Sequence, residues 1–99
     1  MLEKDIQKGI LQYLQVKRVF HWRNNSGAYK TSHGSFIRFG EPGSPDIFVI
    51  RGGMIYGLEV KNEKGKLSDL QEEWSKGFMK HGGLYHVVRN LDDVIALFG

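Results

Sequence analysis

The chain reads as one α/β domain, a mixed β-sheet flanked by helices, and three features of the sequence predict it. Residues 3–16 place Ile6, Ile10, Tyr13 and Leu14 at helical spacing with polar residues between them. Two β-rich runs flank Gly52-Gly53, the signature of a tight hairpin. A second helical stretch then leads to a further β-rich run and a last amphipathic helix. That alternation puts a sheet between helices.

Taken in order, Glu3 falls in the first turn of the opening helix, where a carboxylate suits the helix dipole. Val19 to Arg23 alternates and is β-rich, which predicts a strand with Phe20 and Trp22 on one face and His21 and Arg23 on the other. Residues 24–35 are polar and contain glycine, which predicts a loop. Tyr29, Lys30 and His33 in that loop, with Arg23 and Arg38 beside it, suit a nucleic-acid backbone and an unstacked base. A plain surface loop accounts for them equally well. Phe36 to Phe39 is expected as a short strand leading into the Glu41-Pro42-Gly43 turn. After the hairpin, residues 62–67 form a charged loop. Ser68 to His81 reads as a helix, with Leu70, Trp74 and Phe78 four apart. Ser68 and Gln71 have capping-box spacing. Gly82-Gly83 closes that helix. Leu84 to Arg89 is the next strand, and Asn90 caps a final helix through Val94, Ile95 and Phe98.

The hairpin fixes a register. With a two-residue turn, Arg51 faces Met54, and counting outward brings Asp46 opposite Glu59. Directly opposed side chains lie about 4.5–5.5 Å apart, and like charges there repel. A shared hard cation such as Mg²⁺ removes that penalty, because it prefers oxygen ligands. Lys61 is two residues beyond Glu59 and leaves the same face of the strand. Two acids and an ammonium therefore converge. The bland alternative makes Asp46 a turn residue after Pro45 and leaves Glu59 and Lys61 solvated on an edge strand.

Pro45-Asp46 followed by Glu59-Val60-Lys61 resembles the PD-(D/E)xK nuclease signature. With Glu3 and the Gly43-Ser44-Pro45-Asp46 form of the first acid, the chain is similar to the virus-type replication-repair nuclease (VRR-NUC) family, in its stand-alone phage and bacterial type. The resemblance spans residues 3 to the end. It implies a restriction-endonuclease-like core, αβββαβ with a C-terminal helix, and one nuclease domain over residues 1–99. It further implies Mg²⁺ or Mn²⁺ held by Asp46, Glu59 and the Val60 carbonyl. Glu3, or failing it Asp5, would point at the metal. Lys61 would orient the nucleophile, and Gln71 would assist. One glutamine side chain is not expected both to cap its helix and to face the site. Arg23, Lys30, Arg38 and Ser44 are the candidate DNA contacts. The resemblance also points to branched DNA such as Holliday junctions, a role in DNA repair, and a homodimer whose two sites straddle a symmetric junction. A DNA-binding module with a vestigial site, or the nuclease subunit of a larger helicase or restriction-type complex, is the alternative.

Composition agrees with a modest globular domain of 99 residues, 40% hydrophobic and 25% charged. The formal charge of +3 and pI of about 9.3 lean toward polyanions. No run is long and apolar enough for a membrane span. The start lacks a signal peptide, so the cytoplasm of a bacterial or phage-infected cell is expected. There are no cysteines, which excludes disulfides and thiolate metal sites. The four histidines lack ligand spacing and are expected at the surface or half-buried. Trp22, Trp74 and the phenylalanines are expected in the core, and Arg89 as a solvated strand-end residue or a phosphate contact.

Overall fold

The computed structural model describes residues 1–99. Its elements are α1 (Glu3–Val16), β1 (Phe20–Arg23), β2 (Gly27–Lys30), β3 (Phe36–Phe39), β4 (Ile47–Arg51), β5 (Met54–Val60), α2 (Asp69–Lys80), β6 (Leu84–Val88) and α3 (Leu91–Phe98). The main sheet has the order β1-β4-β5-β6. Its first three strands are antiparallel neighbours, and β6 joins β5 in parallel after the α2 crossover. The sheet is mixed, as expected.

The central hairpin forms as the sequence dictates. Arg51 pairs with Met54 and Ile47 with Leu58. Gly52 and Gly53 both take positive φ, 59° and 78°, the conformation a two-residue turn of this twist demands. The ladder stops at Ile47, so Asp46 stands one step beyond it, still opposite Glu59.

The two faces of the sheet are packed differently. Ile47, Val49, Leu58, Val60 and Val88 point to one face, where α1 contributes Ile6, Ile10 and Leu14 and α3 contributes Val94 and Phe98. These ten side chains are the buried hydrophobic core. Burying one such aliphatic side chain is worth about 1.5–3 kcal/mol. On the opposite face α2 lies over an aromatic cluster. Phe48 sits 5.3 Å from Trp22, 6.1 Å from Trp74 and 5.9 Å from Phe78, centroid to centroid. Gly57 keeps this face thin. A Cβ there would come within 2.9 Å of Pro45 and 3.3 Å of Phe78. Ser68 caps α2 through the full capping box, and Asn90 caps α3 by accepting from the Asp93 N–H.

Two expectations need correction. Residues 24–35 are not all loop: β2 forms there and pairs with β3 in a separate two-stranded ribbon. Phe36–Phe39 is a strand, but outside the main sheet. The three strands of the αβββαβ core are β1, β4 and β5. The ribbon packs against no other element, and the molecule measures 47 Å along its longest axis. Not every aromatic is core, either. Phe20 and Phe36 are 68% and 71% exposed, and Trp22 and Phe39 are also exposed. Phe20 and Trp22 lie on the edge strand, beyond the cover of α2. No helix is long and apolar enough to cross a membrane.

Candidate active site

The site forms at the end of the sheet where β4 begins and β5 ends. Val60 directs its N–H toward the β4 side, past the last ladder pair. The Asp46 carboxylate accepts that N–H at 2.8 Å through Oδ2. The N–H and C=O of one extended residue point the same way, so the Val60 carbonyl also aims toward Asp46. Asp46 thus ends the β4–β5 ladder with a side chain in place of a backbone partner. A chain of short bonds fixes its approach. Asn24 donates to Ser44 Oγ at 2.7 Å and to the Pro45 carbonyl at 2.8 Å, and its own backbone N–H reaches the Asp46 carbonyl at 2.7 Å.

Glu59 is 3% exposed. Its Oε2 accepts from Gln71 Nε2 at 3.3 Å and lies 3.7 Å from Lys61 Nζ. Its Oε1 is buried and has no hydrogen-bond partner. Burial pushes the Glu59 carboxyl up to about 8; neighbouring Asp46 pushes the same way, Lys61 opposes them, and Glu3 adds a little. The cause is an excess of negative charge in a dry place. A proton relieves it, and so would a divalent cation, which inverts the local logic in favour of ionised carboxylates.

The donor set fits such a cation on its own terms. Two carboxylates and one carbonyl converge, all hard oxygens, and one buried carboxylate oxygen is orphaned. No group of three His, Cys, Asp or Glu side chains closes into a metal site. The donor set is the pair Asp46 and Glu59 with the Val60 carbonyl. Glu3 Oε2 instead accepts the Asn62 N–H at 3.3 Å, tying α1 to the loop after Lys61 while adding its charge to the site.

Gln71 does what one side chain was not expected to do. Its Oε1 accepts from the Ser68 N–H at 2.9 Å while its Nε2 donates to Glu59. The amide has two ends, so cap and site are served together. Ser44 departs from its expected role. It is 7% exposed, and its hydroxyl donates to the Glu41 carbonyl at 2.6 Å while accepting from Asn24. It holds the turn that presents Asp46 and is not a surface contact. Arg23, Lys30 and Arg38 are exposed. Lys30 and Arg38 are on the ribbon, on the face opposite Tyr29, Ile37 and Phe39.

Three residues at the site escaped the sequence reading. Arg89 is half-buried and tied to the loop after Lys61. Its guanidinium donates to the carbonyls of Asn62 and Gly65 at 2.7 and 2.8 Å. Gly65 lies so close to the Lys61 stem that a Cβ would sit 3.2 Å from Lys61 Cβ and Cδ and 3.0 Å from Glu3 Oε2. Arg89 and Gly65 together hold the 62–65 loop against Lys61. Tyr85, opposite Gly57 on β6, buries a hydroxyl that has no partner. Burial raises its pKa, and the charges on Glu59 and Asp46 add to the effect. No signal of spacing marks these three, because each acts through a contact distant in sequence.

The fold has a counterpart among solved structures. One described as a VRR_NUC domain superposes with a TM-score of 0.69 at 24% identity, over 96% of this chain and 91% of that one. The chain therefore has the VRR-NUC fold, a mixed sheet flanked by helices. No family model matches the sequence, and no curated protein matches it.

Proposed function

We propose that this protein is a divalent-metal-dependent DNA endonuclease that hydrolyses phosphodiester bonds and is selective for branched DNA such as four-way junctions. The observation that carries the reading is buried Glu59 opposite half-buried Asp46, with Lys61 Nζ 3.7 Å from Glu59. The fold shared with a VRR_NUC domain supports it.

In this reading Asp46, Glu59 and the Val60 carbonyl hold Mg²⁺ or Mn²⁺. An ion held there would supply Lewis acidity toward water and neutralisation of charge on the phosphoryl group. Lys61 supplies the site's fixed cation. Its ammonium orients the attacking oxygen or stabilises charge that builds on the phosphate oxygens. Gln71 restrains Glu59 through Nε2 and so fixes the carboxylate that Lys61 faces. Glu3 acts on the same solvent from the α1 side. Arg23, Lys30 and Arg38 contact the backbone of the DNA, and the net positive charge favours its approach.

A homodimer suits a symmetric junction. The apolar exposure of the ribbon and of Phe20 supports assembly, since an isolated two-stranded hairpin is marginal in water. Sedimentation at working concentration is expected to give a dimer, and a strict monomer would remove this part of the reading.

The deciding experiment is a panel of labelled junctions, flaps and linear duplexes, each with Mg²⁺ and with EDTA. Wild type is expected to cut in Mg²⁺ only, with junctions cut fastest. Lys61→Ala is expected to bind the same DNA and leave it intact. Normal cutting by that variant, or no cutting of any DNA by wild type, would overturn the assignment.

A further inference from the structure

Outside the catalytic cluster, an open groove of about 570 Å³ lies between α1 and β1. Lys4, Lys8, His21 and Arg23 line it together with Gln12 and Gln15, and no acidic residue does. On α1 the spacing 4, 8, 12, 15 forms one stripe along the helix. His21 and Arg23 alternate with Phe20 and Trp22, so both basic residues face α1. His21 is held there by the bond between its Nδ1 and the Val19 carbonyl at 2.6 Å, which leaves Nε2 free.

The groove lies on the α1 face of the sheet and the acids on the α2 face, and both reach the end of the sheet where β1 ends and β4 begins. Lys4 follows Glu3 on α1, and Arg23 precedes Asn24, which fixes the turn carrying Asp46. The far end lies at Gln15 and His21. Eleven residues of helix span about 16 Å. At a rise of about 3.4 Å per base pair along a duplex axis, that length matches about five base pairs of a duplex lying parallel to α1.

We propose that this groove is a phosphate-backbone track that holds the nucleic-acid strand leaving the cleavage site. Positive charges at its mouth, with amide donors farther along, suit a polyanion of regular spacing. Ammonium groups spaced along a helix stripe contact phosphates whatever the bases, so the track is indifferent to sequence. It would keep one arm of a branched substrate directed along α1 while the scissile phosphate sits at Asp46 and Glu59. The inference rests on the nuclease reading above.

The test is the salt dependence of DNA binding by wild type in EDTA, where no cutting interferes. Each phosphate contact contributes about 0.9 to the slope of log K against log salt on duplex DNA. Lys8→Gln is expected to make the slope shallower by about 0.9. Gln12→Glu with Gln15→Glu adds two negative charges on exposed helix positions and is expected to weaken binding about tenfold at low salt. Thermal melts check that both variants are folded. Unchanged slope and affinity in both would overturn the track and leave the groove to an acidic protein surface. Failure of the nuclease reading has a different signature, a wild type that never cuts, so the two outcomes are separable.

Discussion

The two faces of one sheet have different work. On the α1 and α3 side the ten buried core side chains are aliphatic apart from Phe98, with Tyr13 and Tyr56 partly buried around them. On the α2 side the packing is aromatic and half-covered, and its edge carries a buried carboxylate, an ammonium and an unpartnered tyrosine hydroxyl. Successive residues of β5 serve both: Leu58 and Val60 enter the dry core while Gly57 and Glu59 face α2. The first face supplies stability. The second gives some of it up, because a charge held out of water is destabilising unless something pairs it.

Substitutions that break this contrast should therefore differ in sign. Glu59→Gln has the largest expected effect, with cutting and metal binding abolished and the metal-free fold made more stable near pH 8. The folded-state pKa of Glu59 lies near 8, above its ordinary value of 4.5. Between those values the folded chain keeps a proton that the unfolded chain has shed. Metal-free stability is then full below about pH 4.5 and is lost as pH rises toward and through 8, by on the order of a few kcal/mol. Urea unfolding in EDTA at several pH values should show that decline in wild type and a flat profile in Glu59→Gln. Equal profiles would remove the strained carboxylate from the account.

On the dry face the sign reverses. Leu14→Ala should cost about 2–5 kcal/mol, the usual loss for a fully buried leucine. Leu70→Ala, at an exposed position on α2, should fall within about 0.5 kcal/mol of wild type. If chemical denaturation gave the two variants similar losses, the division of labour between the faces would be wrong.

Asp46 belongs to both accounts and can be split. Asp46→Asn keeps an oxygen to accept the Val60 N–H, so stability should hold while calorimetric Mn²⁺ binding disappears. Asp46→Ala orphans that N–H and should cost a further 1–3 kcal/mol or so. Retained Mn²⁺ affinity in Asp46→Asn would contradict its role as a ligand.

How much of this was legible in the sequence follows from the same contrast. The hairpin register, and with it Asp46 opposite Glu59, could be counted outward from Gly52-Gly53. The amphipathic helices were legible because one side of each is buried. β3 was expected as a strand, but β2 and the pairing of the two into a separate ribbon were not, because both faces of the ribbon are exposed and no alternation of burial shapes its sequence. The double duty of Gln71 was hidden because spacing identifies a cap without saying where the other end of the amide goes. Arg89 and Gly65 were missed for a related reason. The distance between Arg89 and Gly65 along the chain gives no hint that the guanidinium pins the loop against Lys61.

That loop sharpens the comparison at smaller scale, since it positions a reactive group without belonging to the core. Gly65→Ala should push the Lys61 stem or Glu3 aside by a few tenths of an ångström. A displacement of that kind is expected to lower kcat about 10- to 100-fold. Metal and DNA affinity should hold. Arg89→Ala removes both bonds to the loop carbonyls and should act in the same direction. A proportional loss of Mn²⁺ affinity in either variant would mean that the loop shapes the ligands and not the lysine.

The smallest effect is expected at Gln71, where the two jobs can be separated by one atom. Gln71→Glu retains an oxygen for the Ser68 N–H and keeps the capping box, so stability should stay within about 0.5 kcal/mol. It loses the Nε2 donor to Glu59 and sets a second negative charge against that carboxylate. Cutting should fall about tenfold at neutral pH. Gln71→Ala removes both functions and should lose about 1 kcal/mol as well. If Gln71→Glu and Gln71→Ala cut equally well and as fast as wild type, the glutamine is a helix cap alone, and the α2 face reaches the chemistry only through Glu59 and Lys61.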